Sequence, residues 1–201
     1  MENNVSIRLA GEKDVAEILA IYEPFILQTA VTFEETVPSL DDFKTRIAAI
    51  QQECPFLVCE MNGQIAGYAY AASYRSRTAY RWNREVSVYI HPKFRGRNVA
   101  KAMYHALFSI LKIQGFTRLF AVITLPNEVS VRLHESLGFK AFAVYNHVGY
   151  KLGQWQDVGW WELDLTDDDQ KAPFGPIPFE ELASDERIEY CLNSALSFLK
   201  F

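Results

Sequence analysis

The stretch Val86-Ser-Val-Tyr-Ile-His-Pro-Lys-Phe-Arg-Gly-Arg-Asn-Val-Ala-Lys101 decides the fold of this chain and contains its most informative site. Its first residues alternate between apolar and polar and predict a strand, and its last residues begin a helical pattern that continues to Gln114. The first backbone N–H groups of that helix are unpaired and lie at the positive end of the helix dipole. Arg95 and Arg97 flank the turn, and Gly96 lets a ligand approach the backbone closely. The pattern favours a diphosphate site. An ordinary strand, loop and helix with solvated Arg and Lys side chains is the alternative that the spacing leaves open.

The segments on either side of this stretch predict an α/β chain. Alternation marks the strands, helical periodicity and N-cap residues mark the helices, and Asn62-Gly63 marks a hairpin turn. In chain order the predicted elements are one strand, two helices, three strands, a helix, a strand, a helix and two strands: Val5–Leu9, a helix from Asp14, a helix capped by Ser39, Pro55–Met61, Gln64–Tyr74, Arg84–Ile90, Arg97–Gln114, Phe116–Thr124, Asn127–Leu137, Phe139–Val148 and Trp155–Leu165. This order predicts a mixed sheet flanked by helices, and the last strand is expected to end the sheet.

The chain divides into a domain at residues 1–165 and an extension at residues 166–201, because its composition changes there. Thr166–Lys171 is a charged run, Pro173–Pro178 is rich in Pro and Gly, and Glu180–Phe201 ends in the pattern of an amphipathic helix. We expect this C-terminal helical extension to pack on the domain or on a partner subunit.

Composition and charge exclude several classes of function. The 201 residues carry 20 Lys and Arg against 25 Asp and Glu, a net charge of −5, whereas nucleic-acid-binding proteins usually show the opposite balance. Three cysteines without metal-ligand spacing indicate free thiols in a reducing compartment. The N-terminus lacks the features of a signal peptide, and no apolar segment is long enough to span a bilayer. We therefore expect a soluble cytoplasmic protein that binds neither nucleic acid nor membrane and holds no metal.

Two spaced motifs give the chain a family resemblance. Arg95-Gly96-Arg97-Asn98-Val99-Ala100 resembles the acetyl-CoA motif of GNAT superfamily acetyltransferases, Gln/Arg-x-x-Gly-x-Gly/Ala, with Asn98 where the family usually has Gly. Asn tolerates a left-handed backbone better than most residues, so we expect the turn to be kept. Asn127-Glu-Val-Ser130-Val-Arg-Leu-His134-Glu-Ser-Leu-Gly138-Phe139 resembles the second family block, whose Asn and helix line the pantetheine arm. The resemblance implies a mostly antiparallel GNAT-type sheet and acetyl-CoA as the co-substrate.

Three further segments resemble one branch of the superfamily, the phosphinothricin and methionine sulfone/sulfoximine N-acetyltransferases. They are Thr32-Phe-Glu-Glu-Thr36, Arg75-Ser-Arg77-Thr-Ala-Tyr80-Arg-Trp82 with the following Glu85-Val-Ser-Val-Tyr89, and Gly149-Tyr-Lys151-Leu-Gly-Gln-Trp155-Gln-Asp157. The resemblance covers about residues 5 to 165. It implies a homodimeric enzyme that moves acetyl from acetyl-CoA to the α-amine of a small amino-acid-like acceptor, by direct attack in a ternary complex.

The resemblance also implies roles for individual residues. Glu85 is expected to be the general base, acting through a water, and His134 to protonate the leaving thiolate; a packed histidine is the alternative for His134. A backbone N–H of the strand at Val88–Ile90 is expected to stabilise the carbonyl oxygen that becomes negative. The expected acetyl-CoA contacts are Val88, Tyr89, Ile90, Arg95, Gly96, Arg97, Asn98, Val99, Ala100, Lys101, Asn127, Ser130 and Ser136. The expected acceptor contacts are Phe33, Glu34, Arg75, Ser76, Arg77, Tyr80, Glu85, Val86 and Ser87.

Simpler interpretations remain open for the charged residues and for the whole chain. Glu85 paired with Arg84 or Arg81 would be an ordinary surface ion pair. Arg75 and Arg77 share one face if the strand extends to them, where a guanidinium can grip a carboxylate, but a solvated basic loop is the alternative. The acceptor could instead be a protein N-terminus, a polyamine or an aminoglycoside, or the chain a non-catalytic CoA-binding module. The two arginines argue for an acidic acceptor, and Glu85 argues for catalysis.

Overall fold

The computed structural model describes residues 4–166 and 174–200, and these residues confirm the predicted order of elements. The strands are β1 Val5–Leu9, β2 Phe56–Met61, β3 Gln64–Ser73, β4 Asn83–Ile90, β5 Arg118–Leu125, β6 Lys140–Lys151 and β7 Gln154–Asp164. The helices are α1 Val15–Gln28, α2 Leu40–Glu53, α3 Val99–Gln114, α4 Glu128–Ser136, α5 Phe179–Leu182 and α6 Glu186–Ser194. Single 3-10 turns lie at Glu12–Asp14, Thr78–Tyr80, Pro92–Phe94 and Ala195–Phe198.

The strands of the described residues form one sheet in the order β1-β2-β3-β4-β5-β7-β6. Only β4 and β5 run parallel, so the mixed, mostly antiparallel sheet is confirmed. The expectation that Trp155–Leu165 ends the sheet is wrong. The turn at Leu152-Gly153, left-handed at both residues, folds β7 back between β5 and β6, and eight residues of β7 pair with β5. β6 is therefore the edge strand.

Helices cover both faces of the sheet. α1 and α2 cover one face over a cluster that contains Ile18, Ile26, Phe43 and Tyr68. α3 and α4 cover the other face. The apolar residues of α3 recur every three or four positions and give it one buried stripe. That stripe consists of Val99, Ala102, Met103, Ala106, Leu107, Ile110 and Leu111.

Two helix starts differ in detail from the sequence-based expectations. α3 begins at Val99 instead of Arg97, because Asn98 adopts a left-handed φ of 59° that cannot belong to a right-handed helix. Asp14 precedes α1 as expected, but its carboxylate accepts hydrogen bonds from Arg8 at 2.6 and 2.8 Å and does not cap the helix. The Ser39 cap of α2 is confirmed, since its hydroxyl accepts a hydrogen bond from the Asp42 N–H at 3.1 Å.

The C-terminal segment at residues 174–200 packs on the α3 face of the sheet, beside β1. The amphipathic helix expected towards the end of Glu180–Phe201 is present as α6, which Asp185 begins by accepting a hydrogen bond from the Arg187 N–H; α5 precedes it and a 3-10 turn follows it. Its buried side chains join the main core cluster. Within the described residues, no helix combines the length and the apolar character that crossing a membrane requires.

Candidate active site

A cleft opens where β4 and β5 separate. The two parallel strands pair only at their first three positions, and the last pair joins Glu85 to Phe120. Beyond that point Val86–Ile90 stays paired with β3 on one side only, while β5 pairs with β7. Because alternate peptide groups of a strand point to opposite sides, part of the β4 backbone beyond Glu85 faces the cleft with its N–H and C=O groups available.

The turn that closes one end of this cleft has the geometry of an anion site. Phe94 is buried and anchors the turn, whereas Arg95, Gly96 and Arg97 are exposed. Gly96 and Asn98 both take left-handed conformations, with φ of 79° and 59°, which confirms that Asn98 can replace the usual glycine. The first N–H groups of α3 follow directly and lack partners within the helix. Exposed cationic side chains on both sides of Gly96 complete a site suited to phosphate.

The α4 side of the cleft also has an opening. Asn127 caps α4 through its Oδ1, which accepts from the Ser130 N–H at 3.1 Å. It lines a cavity of about 530 Å³ together with neighbours from β5, α4 and β7: Leu125, Pro126, Glu128, Val131, Arg132 and Asp157. Ser136 lies two helical turns away, where it is exposed and donates its hydroxyl hydrogen bond to the Leu133 carbonyl at 2.8 Å. Of the expected contacts on this side, Asn127 therefore lines the cavity, whereas Ser130 and Ser136 are not part of its lining.

His134 lies inside the protein, below this opening. Its Nδ1 is 2.8 Å from the Ser130 carbonyl oxygen, which can only accept, so Nδ1 carries the proton. Nε2 then accepts from the Tyr104 hydroxyl at 3.2 Å. Burial lowers the pKa of the ring, which is also packed edge-on against Phe139. This geometry favours the packed-histidine alternative over a proton donor facing the cleft.

Glu85 is partly buried at the fork between β4 and β5. Burial raises the pKa of its carboxyl group, and the positive charge of Arg75 opposes part of that rise. Its strand neighbour Arg84 points to the opposite face, where it bonds to the Cys54 sulfur and the Arg81 carbonyl. Among the described residues Glu85 has no ion-pair partner within 4.0 Å, so the surface ion pairs with Arg84 or Arg81 are not present.

Aromatic rings hold Arg75 beside this carboxyl group. The Arg75 guanidinium lies 4.9 Å from the centroid of the Tyr74 ring and 5.8 Å from that of Trp160. Tyr74 in turn stacks on Phe120 at 4.3 Å, and Tyr80 packs edge-on against Tyr74 at 5.8 Å. The cation is therefore fixed near the fork although it is exposed.

Ser76 and Arg77 are not brought to the fork. β3 ends at Ser73, so the expected shared strand face of Arg75 and Arg77 does not exist. Both Ser76 and Arg77 are exposed in the loop before the 3-10 turn. Among the described residues the Arg77 side chain makes no hydrogen bond or ion pair, and only its carbonyl accepts, from the Tyr80 N–H at 3.0 Å.

The loop that carries Phe33 and Glu34 is fastened to β6. Lys151, buried at the end of β6, donates to the Thr32 carbonyl at 2.7 Å. The Phe33 ring fills the space beside Gly149, where any larger residue would collide with it. Glu34 accepts from Arg46 at 2.6 Å, an ion pair that orients its carboxylate within the loop. The loop is thus held over the same face of the sheet as Glu85.

Sequence analysis missed a group of aromatic side chains on that face. Tyr89 packs against Tyr22, Phe25 and Tyr68 with ring centroids 4.9 to 5.1 Å apart. Its neighbours Val88 and Ile90 pack on the α3 side, opposite to Tyr89. The sequence signal for this aromatic group was the pair Tyr68 and Tyr70, which lie two residues apart on β3 and therefore on the same face.

A model described as an acetyltransferase (GNAT) domain matches residues 7–160, most of the chain. The chain belongs to the GNAT acetyltransferase family.

Proteins similar to this GNAT enzyme include named N-acetyltransferases. It is 35% identical over 173 residues to the phosphinothricin N-acetyltransferase of Streptomyces viridochromogenes, covering 86% of this chain and 94% of the relative. It is 34% identical over 170 residues to the L-methionine sulfoximine/L-methionine sulfone acetyltransferase of Salmonella typhimurium, covering 84% and 98%. A GNAT superfamily phosphinothricin acetyltransferase from Sinorhizobium meliloti, solved in complex with acetyl-CoA, superposes with a TM-score of 0.80 at 32% identity, covering 87% and 94%.

The family assignment rests on the match over residues 7–160. Within this domain Glu85 lies near the start of β4, where β4 and β5 separate, and the turn at Pro92–Phe94 follows the other end of that strand. No cysteine serves as an alternative nucleophile in this GNAT domain: Cys54 and Cys59 are buried, and burial raises the pKa of Cys59 to about 12. The described residues contain no group of three or more His, Cys, Asp or Glu side chains that could hold a metal ion.

Proposed function

We propose that this enzyme transfers acetyl from acetyl-CoA to the α-amine of a small amino-acid-like acceptor of the phosphinothricin, methionine sulfone or sulfoximine type. Two observations carry the proposal. The Arg75 charge acts on the Glu85 carboxyl group, and Arg75 lies over the ring of Tyr74, which stacks on Phe120, the strand partner of Glu85. A base beside a fixed cation fits an acceptor that presents both an ammonium and an acidic group. The relatives' names support the same acceptor class.

Residues of the turn are proposed to hold the acetyl-CoA diphosphate. The backbone from Gly96 to Lys101 supplies N–H donors, and Arg95 and Arg97 supply positive charge. The exposed β4 backbone at Val88–Ile90 then donates hydrogen bonds along the cleft, where one N–H stabilises the thioester oxygen as negative charge develops.

Glu85 is the general base of the proposed reaction. An ammonium ion cannot attack a thioester, so Glu85 takes a proton from the acceptor amine through a water. The amine nitrogen then bonds to the carbonyl carbon and the carbon–sulfur bond breaks. The second proton that the nitrogen loses passes through water to the departing sulfur, so that CoA leaves as the thiol. Burial raises the pKa of Glu85 and makes it a stronger base than an exposed carboxylate. We assign no proton transfer to His134, because both of its ring nitrogens are engaged inside the protein.

Arg75 is proposed to bind the carboxylate or phosphinate of the acceptor. Its guanidinium is held over two rings and can present two parallel N–H donors. Tyr80, Phe33 and the aromatic side chains near the fork form the apolar walls, and Ser87 borders the site from β4. The Val86 side chain is buried in the core on the α3 side, on the opposite face of β4 from Glu85 and Ser87. Arg77 and Ser76 lie outside this arrangement.

A comparison of acceptors tests the proposal. With acetyl-CoA as donor, we expect kcat/KM for methionine sulfone and phosphinothricin to exceed that for spermidine by about tenfold or more, since only the first two have an acidic partner for Arg75. Glycine amide, which has an α-amine but no acidic group, is the matched control and should resemble spermidine. Preference for spermidine would contradict the amino-acid assignment and leave the acetyltransferase family unaffected.

A homodimer formed through β6 is part of the proposal. This edge strand exposes large apolar side chains along its twelve residues: Phe142, Val144, Tyr145, Val148 and Tyr150. Within the part of the chain that the structure describes, no strand pairs with its outer edge, and a second copy paired about a twofold axis would cover both this edge and the apolar side chains. A cytoplasmic location is also proposed, because the three cysteines are free.

Sedimentation equilibrium checks the dimer. The unmodified protein should sediment as a dimer at micromolar concentration, and Val144→Lys combined with Val148→Lys should give monomers, because two charges would be buried unpaired at the interface. Val129→Lys, an exposed valine on α4, is the matched control and should remain dimeric. A monomeric unmodified protein would overturn this part of the proposal.

A further inference from the structure

The C-terminal segment runs the length of α3 and ends at the anion-binding turn. At the C-terminal end of α3, the Ile177 N–H donates to the Gln114 carbonyl and the Gln114 side chain donates back to the Ile177 carbonyl, both at 2.8 Å. At the other end, the Lys200 N–H donates to the Arg97 carbonyl at 3.0 Å. The Asn98 side chain donates to the Phe198 carbonyl at 3.2 Å. The segment therefore bonds directly to the two residues at the centre of the turn.

Buried side chains between these two ends make the segment a firm support. The residues that join the main core are Phe179, Ile188, Cys191, Ala195 and Leu199. The Phe198 ring stacks on His105 of α3 with centroids 3.7 Å apart and planes within 7°. Phe198 thus fixes the position of its own carbonyl group, which is the acceptor for Asn98.

The bonds to the turn determine the direction of its N–H groups. In a trans peptide the C=O and the following N–H point in opposite directions. Because the Arg97 carbonyl is directed at Lys200, the Asn98 N–H is directed away from the C-terminal segment, towards the open side of the turn. Asn98 is also left-handed, a conformation that Asn adopts more readily than most residues but that costs it more than it costs Gly, so the two bonds help to keep it.

We infer that the C-terminal segment is a positioning element for the acetyl-CoA turn and that Phe198 and Lys200 hold Asn98 in the conformation that presents its N–H to the diphosphate. The inference rests on the proposed function of that turn. The segment lies beyond residues 7–160, the part that matches the GNAT domain. A glycine at this position would adopt the left-handed conformation without support. In this enzyme the position is Asn98, and the contacts from the C-terminal segment support its conformation instead.

Replacing Phe198 by Ala tests the inference through CoA binding, measured by calorimetry without an acceptor. We expect the Kd for CoA to rise about five- to thirtyfold, since the hydrogen bond to Asn98 and the orientation of the Arg97 peptide are weakened together. In assays the KM for acetyl-CoA should rise while kcat and the KM for the acceptor stay unchanged. Tyr190→Ala is the matched control, because Tyr190 is an exposed aromatic residue of the same segment, and its Kd should equal that of the unmodified protein.

A second pair of variants separates positioning from a general loss of stability. Asn98→Gly removes both the side-chain bond and the left-handed strain, so Phe198→Ala should change the Kd less in that background than alone. Phe198 is 37% exposed, and the single variant should still melt cooperatively. A Phe198→Ala protein that melts cooperatively and binds CoA within twofold of the unmodified protein would overturn the inference, as would equal effects in both backgrounds. Absence of CoA binding by the unmodified protein would instead contradict the proposed function.

Discussion

Replacing Glu85 by Gln should lower kcat about 100- to 1,000-fold, the effect of removing a positioned general base. Gln has the shape of Glu and keeps the hydrogen-bonding reach at the fork between β4 and β5, but it cannot take a proton from the acceptor amine. The Kd for CoA should not change, because the anion-binding turn lies at the other end of β4. Steady-state kinetics with methionine sulfone, together with calorimetry for CoA, measures both quantities.

The pH profile gives an independent reading of the same residue. Burial raises the pKa of Glu85, so the acidic limb of the kcat/KM profile should lie at higher pH than for an exposed carboxylate. Activity should increase as the pH rises through this pKa, because only the ionised group acts as a base. The limb should disappear from the residual activity of the Gln variant.

The thermal stability of Glu85→Gln shows whether its loss of activity is caused by unfolding. A carboxyl group whose pKa is raised on folding favours the folded state fully below its unfolded pKa and loses that contribution as the pH rises through the folded pKa. At neutral pH the charged Glu85 is thus unfavourable, and the Gln variant should melt at the same temperature or higher. Glu162→Gln is the control variant. It removes a β7 carboxylate that pairs with Arg118 of β5, and its kcat should equal that of the unmodified protein. An active Glu85→Gln enzyme would remove Glu85 from the mechanism.

Local patterns explain why so much of the fold could be predicted. The strand, turn and helix between Val86 and Lys101 follow from alternation, a glycine and a helical stripe, all read within a few residues of one another. Asn98 could be assigned to a left-handed turn because Asn has a side chain that tolerates this conformation. The element order followed in the same way, with boundaries shifted by one to three residues at most elements.

Features that depend on distant parts of the chain could not be predicted. The separation of β4 from β5 after Glu85 depends on β7 pairing with β5, and neither strand alone carries that information. The position of β6 at the edge follows from the same pairing. The C-terminal segment docks by matching its apolar residues to α3 and β1, so its sequence indicated amphipathicity but not its contact with Asn98.

The end of β3 decides which of the two predicted arginines can act. Spacing alone treats Arg75 and Arg77 alike, since both would project from one face of a continuing strand. The strand stops at Ser73, and the rings of Tyr74 and Trp160 then select Arg75. The sequence treats the two arginines alike, and only packing shows that Arg75 is held over aromatic rings and that its charge acts on Glu85.

Replacing Arg75 by Ala should therefore lower kcat/KM for methionine sulfone about 30- to 150-fold, the value of a charge-assisted hydrogen bond of roughly 2–3 kcal/mol. It should also shift the acidic limb of the pH profile to higher pH, because the Arg75 charge lowers the pKa of Glu85. Arg75→Lys keeps the charge but not the planar pair of donors, so it should retain the unmodified pH limb and recover only part of the activity. Kinetics across pH with all three proteins separates the two roles.

Arg81 supplies the matched control for this experiment. Its guanidinium also lies over an aromatic ring, 4.8 Å from the centroid of Trp82, and its Nε donates to the Thr78 carbonyl of the same loop. Arg81→Ala should leave both kcat/KM and the acidic limb of the pH profile unchanged, because the pKa of Glu85 responds to the charge of Arg75 and not to that of Arg81. If Arg75→Ala and Arg81→Ala behave alike, the cation at the fork has no part in binding the acceptor. If Arg75→Ala lowers the activity without moving the limb, Arg75 binds the acceptor but does not set the basicity of Glu85.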